Sequence, residues 1–145
     1  MMSKNNMNDS LYMMKKIYDI VGIIEGDIPI TNNGDSVDII KEKSIYRIDE
    51  YVKQHGYRLD FLYTLHGRDL CTYDIYGLID NISQIMRDHN ITIGEGCSKI
   101  GISRTTFDKF KQGKGNTSIT TVVKICKAFD IVMRLVIPEI IIHIN

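Results

Sequence analysis

A chain of 145 residues with 43% hydrophobic and 25% charged side chains is one ordinary folded domain or two small ones, not a disordered polymer. Its 18 basic and 18 acidic residues cancel, yet they are unevenly spread. Residues 1–75 carry 9 basic and 12 acidic side chains, net −3, and residues 76–145 carry 9 and 6, net +3.

The first nine residues, MMSKNNMND, read as a tail. From Ser10 the stretch LYMMKKIYDIVGII sets Leu11, Met14, Ile17, Ile20 and Ile24 at helical spacing, and Gly26 and Pro29 close it. A second helical stretch, SVDIIKEK, precedes a clearer one. There Ser44 is an N-cap, Ile45, Ile48, Tyr51 and Val52 share a face, and Gly56 is the stop. Residues 57–65, YRLDFLYTL, are aromatic, branched and partly alternating, so they predict a strand. Residues 66–77 read as a connector. Its HGRDL resembles a kinase catalytic loop only superficially, since no glycine-rich phosphate loop or DFG accompanies it.

The second half repeats the first. Residues 44–63 and 118–137 align without a gap at an offset of 74: a serine cap, a helix of one length, a break and an apolar strand. The expected fold is therefore mainly α with short β-strands. It consists of two small helical units in tandem, each followed by a strand: 10–65, then the 66–77 linker, then 78–137.

Within the second unit, Ile79, Ile82, Ile85 and Met86 predict a helix over 78–88 that Asn90 ends with a left-handed residue. Thr92 caps the next helix, and Gly101 makes the tight turn after it. Ser103 then caps a helix in which Phe107 and Phe110 face inward, leaving Arg104, Thr105, Thr106, Asp108, Lys109 and Lys111 outside. The segment 97–127 holds Lys99, Arg104, Lys109, Lys111, Lys114, Lys124 and Lys127 against Asp108 alone, seven minus one or +6. Such a local basic field meets phosphate. A helix start adds free N–H groups, a favourable dipole and side chains that reach base edges.

On these landmarks, residues 79–129 resemble the lambda-repressor-like helix-turn-helix family, of Cro or XRE type. The pattern is carried by Thr92, Cys97, Gly101, Ile102, Ser103, Phe107, Gly113, Lys114, Ser118, Val122 and Ile125. The resemblance implies that Ser103, Arg104, Thr105, Thr106, Lys109 and Lys111 form the DNA-reading face. It also implies that Lys114, Asn116 and Thr117 hold backbone phosphate. The first unit would then be a degenerate second copy. Two departures stand out: Ile93 where the family places glutamine, and Gly94 and Gly96 in a helix where glycine costs roughly 1 kcal/mol each.

The expected function is a sequence-specific DNA-binding transcriptional regulator of repressor type. It would be a homodimer bound to double-stranded DNA, with the first unit and the strands at 57–65 and 131–137 building the dimer or fixing the spacing. The alternative is a protein-binding module on the same scaffold, with a protein partner at the acidic N-terminal unit, by analogy with antitoxins and phage inhibitors of host defence nucleases. An enzyme is not expected, because no acid–base pair, nucleophile–base pair or metal set is legible. Cys71, Cys97 and Cys126 lack CxxC spacing, and His55, His66, His89 and His143 are scattered, so no cofactor or metal is expected. The polar N-terminus without a signal-like apolar core suggests a cytoplasmic protein, and the interrupted C-terminal apolar run suggests no membrane span.

Overall fold

A computed structural model describes residues 44–114, 116–137 and 140–145. The helices expected over 10–43 lie outside the described residues. Five helices and four strands follow in order: α1 (Ile45–Gln54), β1 (Arg58–Leu65), β2 (Arg68–Thr72), α2 (Ile75–Asp88), α3 (Ile93–Ile100), α4 (Arg104–Lys111), α5 (Ile119–Ala128), β3 (Val132–Ile137) and β4 (Ile140–His143).

Each helix begins where a short polar side chain can accept from a free backbone N–H. Ser44 accepts from Tyr46, Asp74 from Gly77, Thr92 from Glu95, Ser103 from Thr106 and Ser118 from Thr121. The stretch 66–77, expected as a connector, holds β2 and the first turn of α2. His66 and Gly67 both take positive φ, 54° and 76°, the two-residue turn whose twist suits a hairpin. Asn90 takes its expected left-handed conformation at φ 61°.

The strands form one antiparallel sheet in the order β2-β1-β3-β4. Leu59, Phe61, Tyr63 and Leu65 of β1 and Met133 and Leu135 of β3 point into the same core as Leu78, Ile82, Phe107, Phe110, Val122 and Phe129. The helix–strand pieces at 44–65 and 118–137 thus do not stand in series as separate cores. They close one core together, because β1 and β3 pair with each other from Arg58↔Val136 to Leu62↔Val132. The same pairing takes up both strands expected to build a homodimer.

On the opposite face of the sheet, Asp60 is fully buried. Its carboxylate accepts from Arg58 Nε at 2.7 Å and from Arg134 Nη2 at 3.1 Å. A buried carboxylate held by two guanidinium groups is well compensated, and removing one partner would strand it.

A second buried acid is less well served. Asp49 of α1 is 1% exposed, with Lys53 Nζ 3.4 Å away and that same ammonium 2.8 Å from Asp74, the cap of α2. Burial, outweighing Lys53, pushes the Asp49 carboxyl up from 3.8 to about 6. An acid whose pKa is raised by folding holds its proton more tightly in the folded state, so rising pH costs stability until the folded pKa is passed. Asp49→Asn is expected to raise unfolding free energy at pH 7 by about 1 kcal/mol, after allowing for the lost Lys53 contact. Denaturant titrations of both proteins should show that gain fading as pH falls from about 6 towards 4.

Candidate nucleic-acid interface

α4 is positioned by its aromatic pair. Phe107 and Phe110 are 1% and 0% exposed, with ring centroids 6.2 Å apart. Anchoring these two fixes which side of the helix faces outward. Arg104, Thr105, Asp108 and Lys109 are exposed, and Thr106 is half-buried. The C-terminal end of α4 is tied to α1, where the Tyr46 hydroxyl donates to the Phe110 carbonyl at 2.7 Å.

Beyond α4 the chain turns through Gly113, φ 72°, into the cap of α5. This turn brings one side of α4 and the start of α5 together around one concavity. Thr106 and Lys109 line it from α4, Gln112, Lys114, Asn116 and Thr117 from the loop, and Ser118 and Thr121 from α5. Its charged groups are ammonium groups alone, and its polar groups are hydroxyls and amides. That inventory suits a phosphodiester oxygen, which needs cations and donors.

The expected residues do not all meet there. Lys111 is drawn back from the exposed face, its Nζ donating to the Ser83 hydroxyl of α2. Thr117 is only 7% exposed, and its carbonyl accepts from Ile45 N at 3.0 Å, so it chiefly holds α1 in place. Ser103 spends its hydroxyl on the helix, accepting from Thr106 N at 3.1 Å and donating to Thr106 Oγ1 at 2.9 Å. Arg104 lies 3.2 Å from Asp108 one turn on, both exposed. Exposed pairs of this kind are worth about 0.3–0.5 kcal/mol and open readily. Asp108 therefore orients Arg104 along the helix.

Gln112 and Thr121 were not anticipated. Gln112 follows Thr105 and Lys109 at helical spacing, a signal present in the sequence. Thr121 is three residues past the Ser118 cap, its N–H donating to the Ser118 hydroxyl at 3.3 Å.

The start of α3 differs in kind. Thr92 and Glu95 form a capping box, with Glu95 Oε1 accepting from Thr92 N at 2.8 Å and Thr92 Oγ1 from Glu95 N at 3.1 Å. These bonds from the Thr92 backbone and hydroxyl hold the Glu95 carboxyl below its ordinary range. An ionised acid thus sits at the start of α3, whereas neutral serine hydroxyls cap α4 and α5.

Gly94 and Gly96 do not break α3, which runs regularly over eight residues. Gly96 is buried against α2, and a Cβ there would lie 2.0 Å from Met86 Cε, so the missing side chain admits Met86. The thiols of Cys71, Cys97 and Cys126 are all pushed up by burial, away from reactivity. Among the described residues, no group of three or more His, Cys, Asp or Glu could hold a metal ion, and no helix is long and apolar enough to cross a membrane.

This arrangement has a known counterpart. Residues 81–133 match the Cro/C1-type HTH DNA-binding domain family. Over this segment the chain is similar to Cro/C1-type helix-turn-helix domains. The segment takes in most of α2, all of α3, α4 and α5, and the start of β3, so the helix-turn-helix proper is α3, Gly101 and α4. DNA binding is the property this family carries. No curated protein and no solved structure matches the chain at a significant level.

Gly94 is exposed, lacks a positive φ and has only Thr92 Oγ1 at 4.0 Å from an added Cβ. Gly94→Ala in the helix-turn-helix domain is expected to raise stability by about 0.5–1 kcal/mol. Thermal unfolding followed by circular dichroism checks this.

Proposed function

We propose that the chain is a sequence-specific DNA-binding transcriptional regulator of repressor type, cytoplasmic, and not an enzyme. The observation that carries this reading is the exposed cationic edge of α4 and the loop after it, Arg104, Lys109 and Lys114. That edge lies beside the serine-capped starts of α4 and α5 on a scaffold of a DNA-binding family.

The roles divide by reach. Arg104 and Thr105, in the first turn of α4, are the base-reading residues, with Arg104 exchanging Asp108 for a guanine edge. Lys109 and Lys114, with Gln112 and Asn116, hold phosphate around the concavity, while Ser118, bonded to Thr121, keeps the start of α5 in shape. Ser103 keeps the helix start in shape, Lys111 braces α4 on α2, and Thr117 braces α1.

The strands β1 and β3, expected to take part in a homodimer, are both used within the chain. The reading is therefore of one recognition helix per chain, with no strand left at that seam for a second copy. The alternative of a protein-binding module has its own observation in Leu70, Tyr73 and Tyr76, which leave apolar surface exposed around β2 and the start of α2.

The two readings separate on substitution. Arg104→Ala is expected to cost about 1–3 kcal/mol in specific DNA affinity and to relax preference at one or two base pairs. Lys109→Ala and Lys114→Ala are each expected to lower the slope of log K against log salt by about one without changing preference. Fluorescence anisotropy over a salt series reads all three. Unchanged DNA binding in every variant, or a stoichiometric protein complex indifferent to them, would favour the protein-binding module instead.

A further inference from the structure

α1 and α5 have the same length and the same bounds once 74 is added, 45 to 119 and 54 to 128. Their caps, Ser44 and Ser118, face each other in an isolated antiparallel bridge. Each helix ends in the same hydrogen bond two residues past its cap, Tyr57 N to Val52 O and Ile131 N to Cys126 O, both 2.8 Å. Each break uses one positive φ, 80° at Gly56 and 56° at Asp130. Buried side chains correspond as well: Ile45 with Ile119, Val52 with Cys126, Leu59 with Met133 and Phe61 with Leu135.

The strand register completes the correspondence. Arg58 faces Val136 and Leu62 faces Val132, so residue 58 meets the counterpart of 62, and 62 meets the counterpart of 58. Leu59↔Leu135 and Phe61↔Met133 obey the same exchange, and Asp60 faces Arg134, its own counterpart. A contact pattern in which i meets j′ and j meets i′ is that of a twofold axis. Here the axis runs through Ser44/Ser118 and Asp60/Arg134, inside one chain.

On such an axis a residue faces its own copy. If β3 paired with β3 of a second molecule in this register, Arg134 would oppose Arg134, and β1 with β1 would set Asp60 against Asp60. Like charges directly opposite destabilise a strand pair, and opposite charges stabilise it. Only β1 with β3 gives Asp60 the two guanidinium groups that hold it at 0% exposure.

We propose that residues 44–65 are the built-in pairing partner of residues 118–137. The fold is then an internal pseudodimer whose Asp60–Arg134 pair excludes homotypic strand pairing between copies, and the protein engages DNA as a monomer. The last clause rests on the DNA-binding reading above; the assembly does not. A monomer with one basic helix covers a single half-site without cooperativity.

Sedimentation of the full-length chain over a wide concentration range, alone and with DNA, tests this. The expected species is the 16.6 kDa monomer, binding one chain per half-site with a Hill coefficient of one. Asp60→Arg and Arg134→Asp are each expected to lower the melting temperature, the double exchange in one chain to recover part of the loss, and a mixture of the two single variants to recover none. A concentration-dependent wild-type dimer, or recovery on mixing, would overturn the proposal. If the single variants do not fold, the wild-type sedimentation still decides. A monomer that binds no DNA would defeat the DNA reading and leave the assembly intact.

Discussion

The pairing of β1 with β3 is the constraint on which the rest of this structure depends. It joins two strands separated by β2 and the whole of α2, α3, α4 and α5, so the helix-turn-helix is an excursion between two strands that lie side by side. Closing so long a loop costs entropy, but only logarithmically in its length. Against that cost stand the shared core beneath the sheet and the Arg58–Asp60–Arg134 cluster above it. α1 follows, because β1 delivers it beside α4. There Tyr46 secures Phe110 and Ile45 secures Thr117. α4 is thus braced at its far end by a residue that precedes Phe110 by 64 positions.

Charge is arranged around that brace rather than spread evenly. The acid of the capping box closes the start of α3, whereas α4 and α5 keep neutral caps beside Lys109 and Lys114. The start of α3 therefore repels an anion that the uncharged starts of α4 and α5 would attract. The domain's single exposed acid on α4, Asp108, is neutralised within the helix by Arg104. Positive charge without a neighbouring acid is therefore concentrated at the α4–α5 corner.

How much of this was legible follows the range of the interactions. The five helix starts were written locally, in a serine, threonine or aspartate before an apolar period, although only four were read: Asp74 was missed inside the supposed connector. Phe107 and Phe110 fixed the outward face of α4 by spacing alone. What the sequence left out was set by distant partners. Lys111 looked free on its helix, yet it meets Ser83 28 positions earlier, and Thr117 looked like a loop residue until Ile45 claimed its carbonyl. Gly96 read as a weakness because propensity says nothing of the Met86 methyl that occupies its missing side chain. β2, RDLCT, had too little apolar alternation to announce a strand, and its turn uses His66-Gly67 in place of the more familiar Asn-Gly. The offset of 74 was visible in the sequence; that it relates two strands across one axis was not.

The claim that the α4–α5 corner reads DNA is tested most directly by selection from random double-stranded oligonucleotides over a salt series. The account predicts one enriched half-site whose affinity falls linearly in log salt, with a slope set by the few lysine–phosphate contacts at that corner. Recovery of unenriched sequence at every salt concentration, or binding indifferent to salt, would contradict it.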